Sequence, residues 1–247
     1  MGHEFEQRNQ APVGATPEQV WEAIATGGGI SSWFMGRNQV EPGKGGVVRT
    51  GFGGYQPVGT ITEWDPPRRF GYGIGPAEDG RSIGYEFLVE GRSGGSTTVR
   101  LVTSGFLPGD DWEAEYDAMT RGVDLFFRTL VTYLTHFPGR IATPVTAFGP
   151  PVTDWDAAWA ALRRELGLAA PATEGDRVRL TPPGGPPVDG VVYAVNPDTL
   201  GIRTGDAIYR FLQGFGGPLV AAHHLFGQAD PDRAEPAWQD WLTRLTG

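Results

Sequence analysis

Thr16-Pro17-Glu18-Gln19-Val20-Trp21 has the form of a helix start, and Asp154-Trp155-Asp156-Ala157-Ala158-Trp159 repeats that form far downstream. Val48-Arg49 returns as Val178-Arg179. Gly54, Pro57 and Val58 return at one constant offset as Gly184, Pro187 and Val188. Trp64-Asp65-Pro66 corresponds to Val195-Asn196-Pro197, Tyr85-Glu86-Phe87 to Tyr209-Arg210-Phe211, and Ser104-Gly105-Phe106 to His224-Leu225-Phe226. The order is kept while the spacing shrinks. Two copies of a unit of roughly 100 residues predict two related domains, not a solenoid of many repeats.

Local patterns give each copy its elements. Thr16 is an N-cap, Pro17 suits the first helical position, and Gln19 completes a capping box. Val20, Trp21 and Ile24 form a short apolar face, which Gly27-Gly28-Gly29 is expected to end. Ile30 to Met35 reads as a second short helix. Strands are expected over 46–52, 58–65, 69–74, 82–90 and 97–105, after an extended segment 5–13. Alternation is clearest in Tyr85, Phe87, Val89 and in Val99, Leu101, Thr103. A loose hairpin turn is expected over 91–96. Asp110 or Asp111 is expected to cap a long helix running to Phe137-Pro138-Gly139. Its residues Trp112, Tyr116, Met119, Val123, Phe126, Leu130, Tyr133 and Phe137 recur every three or four positions, for about seven turns. Phe127, Val131 and Leu134 widen the stripe, so this helix must lie across a sheet or a partner.

Residues 140–153 read as a linker that includes a short strand over 144–148. After it, Asp154 caps a helix with Trp155, Ala158, Trp159, Leu162 and Leu166 on one face. Strands follow over 177–181, 190–195, 200–203, 207–213 and 219–226. The last helix carries Trp238, Trp241, Leu242 and Leu245. The expected division is 1–139 for the first domain and 154–247 for a reduced second copy.

Composition excludes several functional classes. There is no cysteine, so disulfides, thiolate nucleophiles and Cys-ligated metals are ruled out. Net charge is −9 with no Lys/Arg cluster, which argues against nucleic acid or an anionic membrane surface as partner. No apolar run approaches the ~18 residues of a membrane span. No secretory pattern is visible at the N-terminus, and Glu6 breaks a myristoylation pattern. A cytoplasmic protein is expected.

The run from Ala15 to Ile24, then Trp33-Phe34, Glu41-Pro42-Gly43-Lys44-Gly45-Gly46 and the stretch from Gly59 to Phe70 together resemble the START-like (SRPBCC) superfamily. Within it, the chain is similar to proteins related to the activator of the heat-shock-protein-90 ATPase. Residues 95–101 and the long helix fit the same resemblance. It covers about residues 3–138, and reaches the second half only through the internal repeat. The resemblance implies an α+β helix-grip fold: a curved antiparallel sheet around one long C-terminal helix, with two short helices after the first strand. It also implies a space between sheet and helix that often holds an apolar small molecule. Relatives include cyclases, hydroxylase components and co-chaperones, and fold alone does not choose among them.

Catalytic motifs are sparse. Gly43-Lys44-Gly45-Gly46 is not a Walker loop, Gly71, Gly73 and Gly75 lack dinucleotide-fingerprint spacing, and there is no Gly-x-Ser-x-Gly elbow. His3 reads as terminal and exposed. His136 suits the negative end of the long helix. His223 and His224, adjacent on a strand, point to opposite faces and cannot share a metal. Asp110, Asp111, Glu113 and Glu115 read as a solvated helix start. No metal and no cofactor are expected.

The aromatic residues carry the functional expectation. Trp33, Phe34, Phe52, Tyr55, Phe70, Tyr72, Tyr85, Phe87, Met119, Val123, Phe126 and Leu130 would converge between sheet and helix. They either line a ligand cavity or fill the core. The leading expectation is non-catalytic binding of an apolar or aromatic small molecule in the first domain, with a filled core in the second. One alternative is a co-chaperone-like module that takes a chaperone or another protein as partner. The other is a cyclase- or hydrolase-like enzyme, which needs a polar residue such as Gln7, Asn9, Arg49, Arg100 or His224 inside the cavity.

Overall fold

The structure, a computed structural model, describes residues 2–91, 95–109, 112–214 and 217–246. The chain divides into two compact units, Met1–Ile141 and Ala142–Gly247. The hairpin turn expected over 91–96 lies largely, and the cap at Asp110 or Asp111 wholly, outside the described residues.

The first unit runs β1 (His3–Val13), α1 (Pro17–Ala25), α2 (Gly27–Ser31), β2 (Arg37–Val40), β3 (Val47–Gly51), β4 (Val58–Asp65), β5 (Arg69–Ile74), β6 (Ser82–Gly91), β7 (Thr97–Leu107) and α3 (Trp112–His136). Its sheet has the order β1-β7-β6-β5-β4-β3-β2 with every pairing antiparallel. Alternating residues of β1, β6 and β7 form one face, apolar except at Gln7, Asn9, Tyr85 and Thr103, on which α3 packs against β1 and β7. From Val123 onward α3 buries Val123, Phe127, Leu130, Tyr133, Leu134 and Phe137. Its first turns are less covered, with Trp112, Tyr116 and Met119 half-buried.

The second unit runs β8 (Thr143–Pro151), α4 (Trp155–Glu165), β9 (Arg177–Leu180), β10 (Val188–Asn196), β11 (Thr199–Arg203), β12 (Ala207–Gln213), β13 (Pro218–Leu225) and α5 (Pro231–Thr246). The sheet order β8-β13-β12-β11-β10-β9 repeats that of the first unit without a counterpart of β2. A counterpart of α2 is also absent from the element order. Both helix starts are capped alike: the Thr16 hydroxyl accepts from Gln19 N–H, and the Asp154 carboxylate from Ala157 N–H. The repeat extends to a defect. β4 bulges between Ile61 and Glu63 opposite β5, and β10 bulges between Val192 and Ala194 opposite β11. A glycine faces each bulge: a Cβ on Gly71 would crowd Thr62 and Glu63, and one on Gly201 would overlap the Tyr193 ring. A bulge bends its strand, so the same curvature is built into both sheets.

Three expectations need correction. Residues 140–153 are mostly strand: β8 pairs with β13 from Thr143 to Pro151, because Val145 and Ala147 belong to the second core. β2 was not foreseen, since Arg37-Asn38-Gln39 is polar. Thr50 donates to Asn38 Oδ1 at 2.6 Å and Asn38 N–H donates to Ser31 Oγ at 2.8 Å, which secures it. Finally, Gly27-Gly28-Gly29 does not merely stop α1; it forms α2. Thr26 links the two helices, donating its hydroxyl to Glu22 O at 2.7 Å and accepting from Gly29 N–H at 3.0 Å. Gly29 is glycine because a Cβ there would run into the Glu22 carbonyl.

The second core gathers Leu162, Leu166, Val178, Ile202, Tyr209, Phe211, Trp238, Trp241 and Leu242. His223 belongs with them. Its Nδ1 accepts from Arg210 N–H at 3.1 Å, so the ring proton sits on Nε2, whose side packs against Trp238 with ring centroids 4.3 Å apart. Burial first, and the Arg210 charge second, hold its pKa well below the ordinary histidine value.

Two outcomes follow. Gly29→Ala should destabilise the first unit by about 2 kcal/mol or more through backbone displacement, whereas Gly14→Ala, with open space around it and no left-handed backbone, should cost less; urea denaturation compares them. For His223, the unfolded chain regains an ordinary imidazole that binds a proton below about pH 6.5, while the folded chain does not. Stability should therefore fall between pH 7 and pH 5, with up to about 1.4 kcal/mol per pH unit from this residue. His223→Gln should flatten that slope, and an unchanged slope would mean the folded imidazole carries a charge.

Candidate functional site

The turn from α1 into α2 fixes the first wall of the site. It carries Trp33 back under α1, where indole Nε1–H donates to Ala23 O at 2.9 Å. Phe34 follows, with its ring centroid 5.4 Å from that of Trp33. The sheet supplies the second wall through cross-strand pairs. Tyr72 on β5 lies opposite Tyr85 on β6, and Phe87 on β6 lies opposite Leu101 on β7. The third wall is α3, whose Val123 and Phe126 are three residues apart and therefore neighbours on its surface. Phe34 and Phe126 meet at 4.6 Å between centroids, Trp33 and Phe87 at 6.1 Å, Phe34 and Tyr85 at 6.2 Å.

Trp33, Phe34, Tyr72, Tyr85, Phe87, Leu101, Val123 and Phe126 thus line one pocket between sheet and helix. The room left for the centre of a water-sized sphere is about 10 Å³. That is space for about one water molecule. The polar atoms of this lining are the Tyr72 and Tyr85 hydroxyls and the Trp33 indole N–H that Ala23 engages. Burial, reinforced by Tyr85, pushes the Tyr72 hydroxyl well above its ordinary pKa. Burial, reinforced by Tyr55, pushes Tyr85 up as well. Both phenols remain neutral across the physiological range.

Seven of the twelve expected lining residues come together here. Phe70 and Leu130 are fully buried but do not line the pocket. Phe70 spends its faces on Trp21, Trp64, Tyr72 and Phe87. Phe52 and Tyr55 form a small bridge between β3 and β4, and Tyr55 is 56% exposed. Met119 is half-buried, short of the pocket along α3. Leu101 was missed. Its alternation was visible, but its place opposite Phe87 depends on strand register.

Polar candidates separate by face. Gln7 and Asn9 point to the α3 side of β1, where Gln7 Nε2 donates to Thr120 O at 3.4 Å and Asn9 Nδ2 to Asp124 Oδ1 at 3.5 Å. Arg49 pairs with Glu41 at 2.6 Å and Arg100 donates to Gln10 at 3.3 Å, both at exposed positions. His224, in the second unit, lies 2.6 Å from Arg210 Nη2, and Arg210 Nε donates to Ala222 O at 3.1 Å. His3 stacks on Trp112 with centroids 4.0 Å apart, and His136 ends α3. Glu115 pairs with Arg81. Among the described residues, no group of three or more His, Asp or Glu is placed to hold a metal ion, and no helix is long and apolar enough to cross a membrane.

Among solved structures, the chain is similar to protein MLL2253 from Mesorhizobium loti, at 21% identity and TM-score 0.46, over 53% of this chain and 96% of that one. The Aha1 dimer from Colwellia psychrerythraea is similar at 21% identity and TM-score 0.43, again over 53% and 96%. DynU16, from the dynemicin biosynthetic locus, is similar at 18% identity and TM-score 0.44, over 98% of this chain and 95% of that one. No curated protein matches the chain. Residues 4–135, more than half of the chain and nearly all of the first unit, match the family described as polyketide cyclase / dehydrase and lipid transport. With its helix-grip topology, the chain therefore belongs to that family, within the START-like superfamily.

Proposed function

We propose that the first unit binds an apolar or aromatic small molecule between its sheet and α3, without transforming it. The observation that carries this reading is the pocket lining: eight side chains from the turn after α2, the sheet and α3 present apolar or aromatic surface to one point. Ligand sites of this kind are mostly apolar with few polar groups. General acid–base work needs a group titrating near the working pH, and burial drives the Tyr72 and Tyr85 hydroxyls away from it. That supports binding over catalysis.

The space of about 10 Å³ sets a condition on entry. Any molecule larger than water has to turn side chains aside. Phe126 is the natural one to move, being half-buried while Phe34, Trp33 and Phe87 are buried. Each methylene equivalent a ligand buries contributes about 0.8 kcal/mol, which must exceed the cost of that displacement.

Equilibrium dialysis with naphthalene tests the reading, alongside native and denatured masses of protein purified without detergent. Naphthalene should bind the wild type, and Phe126→Ala should tighten it about fivefold or more, since the ring no longer has to move. Phe126→Ala should remain folded, at a cost of about 1–3 kcal/mol. The absence of naphthalene binding in both proteins, together with equal native and denatured masses, would leave a filled core and end this proposal.

A further inference from the structure

Next to the apolar pocket lies a set of polar side chains that a plain hydrophobic core would not contain. Gln7 on β1 is opposite Thr103 on β7, Thr103 is opposite Tyr85, and Tyr85 is opposite Tyr72. These four make one polar row across the face that α3 covers. Asn9 lies one step along β1, opposite the pocket residue Leu101. Thr120 of α3 lies one turn before Asp124, which itself follows the pocket residue Val123. The row is therefore continuous with the pocket through Leu101, Tyr85 and Val123.

Seven buried side-chain oxygen or nitrogen atoms among the described residues have no hydrogen-bond partner, and four of them sit in this cluster: Gln7 Oε1, Asn9 Oδ1, Thr103 Oγ1 and Thr120 Oγ1. Thr103 is fully buried. Buried polar groups are nearly always satisfied, and unmade bonds are costly. Valine, leucine or methionine at these positions would have filled the same space without that cost. A missing partner is the economical explanation.

The chemistry of that partner can be read from the two amides. Thr120 O is purely an acceptor, so Gln7 must turn its NH₂ toward it, leaving Oε1 free. The Asp124 carboxylate likewise takes the NH₂ of Asn9, leaving Oδ1 free. Two open amide oxygens only accept, and the two threonine hydroxyls can accept as well. Asp124, engaged by Arg128 at 2.8 Å, adds a negative charge at the edge. The set suits a neutral hydrogen-bond donor, and it disfavours a carboxylate, whose burial without a facing cation is expensive.

We infer that this row is the polar end of the ligand site, and that the molecule bound is apolar with a neutral hydroxyl, an alcohol or a phenol, rather than a carboxylate or a hydrocarbon. The inference rests on the ligand-binding reading above. The apolar body would lie among Trp33, Phe34 and Phe126, with its hydroxyl directed toward Gln7 and Thr103.

Three probes on one frame test it: 2-naphthol, 2-methoxynaphthalene and 2-naphthoate, by equilibrium dialysis at pH 7. The wild type should bind 2-naphthol about tenfold or more tightly than 2-methoxynaphthalene, the worth of about one well-made hydrogen bond. It should bind 2-naphthoate most weakly. Thr103→Val, which conserves shape, and the double variant Gln7→Leu with Thr103→Val should each shrink the naphthol preference, the double variant to about threefold or less. Should the double variant fail to fold, Thr103→Val alone decides. If naphthalene and 2-methoxynaphthalene bind as tightly as 2-naphthol, water satisfies the row and this inference falls while the pocket stands. A naphthol preference that survives Thr103→Val and the double variant, or tightest binding of 2-naphthoate, also overturns it. If no probe binds, naphthalene included, both readings fall together.

Discussion

An antiparallel sheet with one apolar face is incomplete until something covers that face. In the first unit the cover is α3, and most other features follow from fitting one long helix against it. The sheet has to bend, and it does so at the bulge between Ile61 and Glu63, with Gly71 yielding space on the neighbouring strand. The space between sheet and helix has to be closed at its open side. α1 and α2 do this, with Trp33 tied to Ala23 O so that its ring stands as a wall. The pocket is thus a consequence of the closure. It forms where a bent sheet, a long helix and the turn after α2 do not quite meet.

The second unit solves the same problem with different means. It keeps the bulge, now between Val192 and Ala194, and the glycine facing it. Its covering helix α5 has 16 residues against 25 in α3. A shorter helix covers less sheet, and larger side chains make up the difference: Trp238 and Trp241 pack on Phe211, Tyr209 and His223. An α2 equivalent, with its Trp-Phe wall, is not part of this unit. The duplicated frame therefore carries two interiors, one with a pocket lined by Trp33, Phe34 and Phe126 and one with Trp238 and Trp241 at its core.

How much of this was legible in the sequence depended on whether the signal was local. The strands carrying Tyr85, Phe87 and Val89 or Val99, Leu101 and Thr103 announce themselves by alternation, and the cap at Thr16 is written in four consecutive residues. The stripe on α3 was equally plain. What escaped was tertiary. β2 is a polar segment with no strand signature, held where Asn38 N–H donates to Ser31 Oγ and the Thr50 hydroxyl donates to Asn38 Oδ1. Gly27-Gly28-Gly29 looks like a stop, and only the close approach of Gly29 to the Glu22 carbonyl shows why glycine serves inside a helix there. Seven lining residues were foreseen because any inward aromatic near the helix is a fair candidate. Phe52 and Tyr55 went astray because they bridge to each other in the turn between β3 and β4 and do not line the pocket. Leu101 needed the register, which alternation cannot supply.

The polar row bears on why the gap exists at all. Core packing favours filling: each additional apolar contact adds dispersion and removes surface from water. A core selected for stability alone would have replaced Gln7 and Asn9 with apolar residues, as the second unit does with Val145 and Ala147 on β8, although there His223 stands where Thr103 stands here. Retaining four oxygens without partners beside a pocket is a local loss of stability, and such losses persist where a site has another use. The helix gains from the same residues, since the two amides that leave oxygens open also reach α3 at Thr120 and Asp124. A ligand hydroxyl entering this row would complete bonds without displacing any. The cost of binding would then fall on the aromatic side, where Phe126 has to move, and specificity on the polar side, where nothing does.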